Sequence, residues 1–417
     1  MDGKNLLENA KWTPWSPRAD LSPEFIADGG KLAIRSGAKR ETYGKFQSGE
    51  ISIPERRPIL FSASFSCQNV ANAEKSVFVM LSFYDAGKKL LERDYADIAE
   101  ENGAKKFHRI IEAPKGAAHV IVEAGARWCP DSVVEFDDMR LETVALLPQR
   151  TVKIATTYKE RQGTLEKNFD AVIDIIEKAG KSNPDVILLS ELVYESCHEY
   201  IPLEKAAQPI PSPLTDAVGD CAKKYNTYVI LTVNEKEGGA IYNTAVVIGR
   251  DGRVCGKYKK IHLPLAEAEM GTSPGDSYRV FDLDFGRVGV IICYDQYFPE
   301  SSRTLALMGA EIIFLPTQGE DEIVQRAIAR TNGVYVAVSG YDGPASSRII
   351  DPLGEIANFV KDKETAYITE QIDLNKRFFV YWMSVGDGNG ETKSLFQKER
   401  VTQSYGAVSK ESHETRI

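Results

Sequence analysis

Histidine is scarce in this chain: five occur in 417 residues, and only His198 and His262 fall between residues 150 and 400. Catalysis that leans on imidazole therefore has few candidates. Cysteine is also sparse, and the six, Cys67, Cys129, Cys197, Cys221, Cys255 and Cys293, are scattered without a C-x-x-C pair. That spacing indicates neither a zinc site nor a disulfide framework, so a buried free thiol is the default for each. No metal or cofactor is expected. An excess of positive charge is missing too, the formal net charge being −9. Neutralising phosphates needs a basic face, so no nucleic-acid partner is expected. No apolar run approaches the ~18–20 residues of a membrane span. The opening Met1-Asp2-Gly3-Lys4-Asn5 has no apolar stretch behind a basic start, the mark of a secretory signal. The expectation is a soluble, cytoplasmic protein with no membrane partner.

What is present is ordinary globular composition, with 43% hydrophobic and 27% charged residues. Two periodicities divide the chain. The first part reads as β structure: Ile59 to Cys67 alternates, with Ile59, Phe61, Ala63, Phe65 and Cys67 on one face and mostly serine on the other. Val77 to Tyr84 is a fuller apolar run before the turn signal Asp85-Ala86-Gly87, and His119–Val122 and Val133–Phe136 read as further strands. Short strands separated by turns indicate an antiparallel sandwich over residues 1–147. The pattern then changes. Val152 to Thr156 is a short strand, and Leu165, Phe169, Val172, Ile173 and Ile176 share one helical face. Strand–helix–strand order continues through Asp185–Ser190, Leu214–Tyr225, Tyr228–Val233 and a hairpin to Lys260. Residues 148–417, tail included, are expected to form an α/β domain.

Three segments carry chemistry. Val288-Gly289-Val290-Ile291-Ile292-Cys293 is a buried strand that stops at a cysteine, with a turn and a helix after it. A thiol so placed leaves the end of the sheet beside free backbone N–H groups, which suits a nucleophile with an oxyanion site. A core cysteine at a strand end fits this segment as well. Gly256-Lys257-Tyr258-Lys259-Lys260-Ile261-His262-Leu263 carries three lysines, which alone read as a solvated face. Val186 to Ser190 is an apolar strand ended by Glu191, an acid that alone reads equally as a helix cap.

Taken together, in chain order from Glu191 through Lys260 to Cys293, the segments resemble the nitrilase superfamily of carbon–nitrogen hydrolases. Supporting pieces are Tyr242-Asn243-Thr244-Ala245, Pro274-Gly275-Asp276, Phe298-Pro299-Glu300, Asn332-Gly333-Val334-Tyr335 and Ile350-Asp351-Pro352-Leu353-Gly354. The likeness covers essentially all of residues 150–417. Two departures stand out: Ser190 replaces the family's usual proline before the glutamate, and Thr331 stands where an acid usually precedes the asparagine. The resemblance implies a four-layer α-β-β-α domain and a catalytic triad of Glu191, Lys260 and Cys293. Glu191 would be the base, Lys260 and the backbone N–H of Tyr294 the oxyanion site. A second glutamate would orient substrate; its distance from Pro274-Gly275-Asp276 favours Glu269, with Glu267 the alternative.

Cys293-Tyr294-Asp295-Gln296 is closer to amidases and N-carbamoyl-amine hydrolases than to nitrilases proper. The expected substrate is therefore an amide or carbamoyl amine, with nitrile hydrolysis the alternative. A non-catalytic binding protein that works through its sandwich is the rival of a different class. The first domain resembles jelly-roll carbohydrate-binding modules in style, through Trp12, Trp15 and Arg127-Trp128. A sugar ligand on Trp128 ranks below a structural or pocket-covering role for it. A homodimer or higher homo-oligomer is expected, through the helix after the nucleophile, with Leu305, Ala306 and Met308, and through the apolar Phe378–Met383. His262 is read as a packing or hydrogen-bonding residue.

Overall fold

The computed structural model describes residues 4–54, 57–101, 103–160, 162–319, 321–340, 343–364, 366–381, 389–406 and 408. The chain divides into two units, Met1–Pro148 with Phe379–Ile417, and Gln149–Phe378.

The first unit is built from two sheets. One runs in the order Thr13–Trp15, Tyr43–Gln47, His119–Arg127, Val77–Tyr84, Leu90–Tyr95, Asn389–Glu391, Phe379–Tyr381. The other runs Glu24–Asp28, Lys31–Arg35, Val133–Thr143, Pro58–Gln68, Ala104–Glu112, Asp97–Glu101. Strand alternation explains the core, because every second residue faces it. Ile59, Phe61 and Ala63 are buried there, as are Val79, Leu81, Phe83, Val122, Phe136 and Leu141.

The tail does not follow the expectation that carried the second domain to residue 417. Asn389–Glu391 adds in parallel to Leu90–Tyr95, and Leu395 of the helix Thr392–Lys398 packs on Phe78, Met80 and Tyr95. A bare sheet edge presents unpaired N–H and C=O groups, and the tail pairs with that edge. Of the apolar Phe378–Met383, Trp382 and Met383 lie outside the described residues.

Elements of the second unit are numbered in chain order. They are β1 (Thr151–Thr157), α1 (Leu165–Gly180), β2 (Val186–Leu188), α2 (Pro213–Tyr225), β3 (Tyr228–Glu237), β4 (Ala240–Ile248) and β5 (Val254–Lys259). There follow α3 (Leu265–Glu269), β6 (Val280–Leu283), β7 (Gly286–Val290), α4 (Pro299–Leu307), β8 (Ile312–Pro316) and α5 (Glu322–Asn332). The last four strands are β9 (Tyr335–Ser339), β10 (Arg348–Ile350), β11 (Ile356–Phe359) and β12 (Tyr367–Asp373). One six-stranded sheet has the order β5-β4-β3-β2-β1-β12, the other β6-β7-β8-β9-β10-β11. The pairs β1/β2, β2/β3, β7/β8 and β8/β9 are parallel.

The inner faces of the sheets pack on each other through Ile154, Leu188, Ile230 and Val247 of one and Val290, Phe314 and Ala337 of the other. Helices cover the outer faces: Val172, Ile176, Leu214 and Val218 on the first sheet, Leu305, Ala306, Ile328 and Ala329 on the second. These layers form the α-β-β-α sandwich. Strands buried on both faces need continuous apolar runs, as Val186–Leu189 and Ile312–Leu315 have. Leu305 and Ala306, expected at a subunit contact, face this core instead, because α4 must cover its own sheet.

Candidate active site

Three chain segments leave the ends of their strands in one place. After β7 the chain continues through Ile291 and Ile292, both fully buried, into a 3-10 turn over Cys293–Tyr297. Cys293 heads that turn with φ +44°, a left-handed conformation that costs a non-glycine residue energy. The Cys293 side chain packs against the edge of the core between the two sheets. Helix α4 lies close beneath: a Cβ on Gly289 would stand 2.8 Å from Leu305 Cδ1, so a larger residue there would have to displace Leu305.

Cys293 is half-buried, and burial pushes its thiol pKa up. The negative charge of Glu191 raises it further, while Lys260, the Thr317 hydroxyl and the Gln318 N–H oppose. At neutral pH such a thiol holds its proton, so its use as a nucleophile requires a base beside it. The backbone N–H of Tyr294 belongs to the first residues of the turn, which have no partner within it.

Glu191 follows the end of β2 and is fully buried. Its Oε1 accepts from Lys260 Nζ at 2.9 Å and from Asn243 Nδ2 at 2.8 Å. Its Oε2 is buried without a hydrogen-bond partner. The next residue, Leu192, has φ +47° and donates its N–H to Thr232 Oγ1 at 2.5 Å, so the strand turns sharply at the carboxylate. Ser190 anchors the bend from the other side: its hydroxyl donates to the Gly340 carbonyl at 3.1 Å and lies 3.0 Å from Ser339 Oγ. A proline there could make neither contact.

Lys260 follows β5 directly and is fully buried. Its Nζ donates to Glu191 Oε1 and, at 2.5 Å, to Glu267 Oε1. Burial alone would lower its pKa, but Glu191, Cys293 and Glu267 outweigh that and raise it, so the ammonium is retained. Its neighbours do belong to an outward lysine face. Lys257 pairs with Glu235 and Glu237, and Lys259 with Glu237. The turn after Lys260 needs Gly275, where a Cβ would meet the Lys259 carbonyl oxygen at 2.3 Å.

Of the two candidate glutamates, the structure brings Glu267 to the lysine and leaves Glu269 exposed. Both lie on α3, and two residues along a helix turn a side chain to the far side. Distance along the sequence carries no information about that rotation. Burial raises the Glu267 pKa despite the opposing Lys260, and its Oε2 is also buried without a partner.

Sequence reasoning assigned no role to Asn243, which sits on β4, holds Glu191 and leaves its own Oδ1 unpartnered. Asp295 entered only as part of the Cys293-Tyr294-Asp295-Gln296 motif, without a role of its own, and Thr317 did not enter at all. The available signal was an asparagine inside the apolar strand Ile241–Ile248, and an aspartate two residues after the cysteine.

A buried Glu–Lys pair close to a cysteine on a strained bend, at strand ends of an α-β-β-α sandwich, is the arrangement that the resemblance to the nitrilase superfamily implies. Residues 147–377 match the carbon–nitrogen hydrolase family, and the chain belongs to that family as an enzyme of its class. It is 35% identical over 231 residues to a nitrilase of Pyrococcus abyssi, covering 51% of this chain and 87% of that one. It is also 35% identical over 235 residues to an omega-amidase of Homo sapiens, covering 50% and 84%. Among solved structures, a mutant nitrilase-superfamily amidase of Nesterenkonia AN1 shares the fold with TM-score 0.50 at 20% identity, covering 63% of this chain and 100% of that one.

Proposed function

We propose that this protein hydrolyses a primary amide or an N-carbamoyl amine through a thioester on Cys293. The observation that carries the substrate class is a set of buried acceptors: Glu191 Oε2, Glu267 Oε2 and Asn243 Oδ1 lack partners. An unpaired buried acceptor costs about 1–3 kcal/mol, which N–H donors of a ligand recover. An amide –NH2 supplies two such donors. A nitrile nitrogen supplies none, and this favours the amide over the alternative of nitrile hydrolysis.

The chemistry follows from the groups present. Glu191 takes the thiol proton as sulfur attacks the carbonyl carbon, and the C–O double bond opens to an oxyanion. Lys260 Nζ and the Tyr294 N–H stabilise that charge in a water-poor pocket. Collapse expels ammonia or the amine, which receives the proton held by Glu191, and leaves the thioester. Glu191 then deprotonates water, which attacks the thioester, and collapse releases the acid and returns the proton to sulfur. Glu267, with Asn243, orients the –NH2 group.

Ammonia release from matched amides, carbamoyl amines and nitriles tests the reading. Amides or carbamoyl amines should turn over and nitriles should not. Lys260→Met should lower turnover by at least about 10²–10³-fold, the cost of one oxyanion donor. Preferred nitrile turnover would remove the substrate assignment, and a fully active Lys260→Met the oxyanion role.

For assembly, the exposed Leu307 and Met308 at the end of α4 favour a homodimer through that face. Light scattering should give twice the chain mass at micromolar concentration; a monomer that still hydrolyses amides would end this reading. In the first unit, Trp128 is exposed but already carries Arg127 and Lys75 over its ring, 4.7 and 5.5 Å from the centroid. That supports a structural role ahead of a sugar ligand.

A further inference from the structure

We propose that Asp295 is a positioning residue that fixes Cys293 and Lys260 relative to each other, with His262 as the second half of the device. The carboxylate is fully buried, and four donors converge on it. Its Oδ2 accepts from the Ile292 N–H at 3.0 Å and from the Tyr258 hydroxyl at 2.7 Å. Its Oδ1 accepts from the His262 backbone N–H at 3.0 Å and lies 2.9 Å from His262 Nδ1.

The sequence positions of these donors give the contact its meaning. Ile292 directly precedes Cys293, so the carboxylate closes the turn that holds the cysteine at φ +44°. Tyr258 and His262 stand two residues before and two after Lys260, so the same carboxylate grips the lysine segment on both sides. A single side chain thus joins the backbone supports of the two groups whose separation the proposed chemistry depends on.

His262 stiffens the grip. Its ring stacks on Phe298 with centroids 3.7 Å apart and planes 7° from parallel, and Phe298 closes the turn that Cys293 opens. With Asp295 as an acceptor, the imidazole carries its proton on Nδ1. An asparagine at 295 would turn its –NH2 toward a backbone N–H whichever way it faced, that of Ile292 or that of His262, and a backbone N–H can only donate, so shape alone cannot replace the carboxylate.

The inference rests on the hydrolase reading for its kinetic consequence, and a substrate-free readout separates the two. Three variants of the full chain are compared with the parent: Asp295→Asn, His262→Phe, which keeps a ring but no donor, and His262→Asn, which keeps a donor. Kinetics on a short primary amide are measured beside peptide-resolved alkylation of Cys293 by iodoacetamide. Misplacing reacting groups by about 1 Å costs on the order of a hundredfold, so kcat in Asp295→Asn and His262→Phe should fall by that order. KM should change little, Cys293 alkylation should slow with kcat, and His262→Asn should restore most of both. A His262→Phe variant with parental kcat and alkylation overturns the proposal, as does His262→Asn failing as badly as His262→Phe. If Asp295→Asn does not fold, the two histidine variants decide. If the parent turns over no amide, the hydrolase reading fails by itself, and alkylation of Cys293 still decides the positioning role.

Discussion

Glu195 lies four residues after Glu191, and burial raises its pKa from 4.5 to about 7, against the Asn234 N–H that it accepts at 2.7 Å. The native state therefore binds more protons than the unfolded state between those two values. Stability falls as pH rises through that window, and the full penalty is present above about pH 7. Glu195→Gln, a neutral mimic of the protonated acid, should leave the melting temperature nearly unchanged at pH 5. At pH 8 it should raise it by on the order of 3 °C. An equal effect at both pH values, measured by calorimetry, would show that Glu195 does not titrate in this window. At the same scale, the sequence was legible where a residue type announces its chemistry. Glu191, Lys260 and Cys293 each close a recognisable apolar or aromatic run, and the structure brings Glu191 and Lys260 into contact beside Cys293. Asn243 and Asp295 stood inside recognised motifs without a role, because the partners that give them one lie 52 and 33 or 37 residues away. Long-range pairing of that kind leaves no local pattern.

Among the elements, strands and the long helix could be read from period alone. The apolar face Leu165, Phe169, Val172, Ile173, Ile176 became α1, with Val172 and Ile176 fully buried. Val77–Tyr84 is a strand over the residues that its apolar run marked. The short α3 was not legible as a helix, and its rotation decides which glutamate reaches Lys260. Glu267→Gln keeps the shape but removes the charge that pairs with Lys260, and should lower kcat/KM for a primary amide by at least tenfold, on the order of 1.4 kcal/mol. Glu269→Gln, on the exposed side of the same helix, should change it by less than about twofold. Steady-state kinetics on the two variants decide the assignment, and the reverse ranking would return the role to Glu269.

On the scale of the whole molecule, the change of period near residue 148 was visible, but the return of the tail to the first unit was not. Strand addition depends on which sheet edge is open, and an edge is a property of the folded sheet. The tail's attachment there is more than two short strands. Glu391 meets Arg109 at 2.8 Å, Lys398 meets Asp97 at 3.2 Å, and Leu395 is buried against Phe78, Met80 and Tyr95. Ending the chain at Phe378 should uncover Leu90–Tyr95 as an edge strand, lower the melting temperature by several degrees and promote aggregation. Calorimetry with light scattering reads both effects; an unchanged transition in a monodisperse sample would show that the tail does not support the sandwich.

The proposed chemistry makes Cys293 the carrier of the acyl group during turnover. Peptide-resolved mass spectrometry of the full chain, acid-quenched while it hydrolyses a primary amide, tests this directly. The acyl mass should appear on the peptide containing Cys293, not on peptides containing Cys67, Cys129, Cys197, Cys221 or Cys255, and Cys293→Ala should lose both adduct and turnover. An acyl group on another cysteine, or ammonia release that persists in Cys293→Ala, would contradict the account.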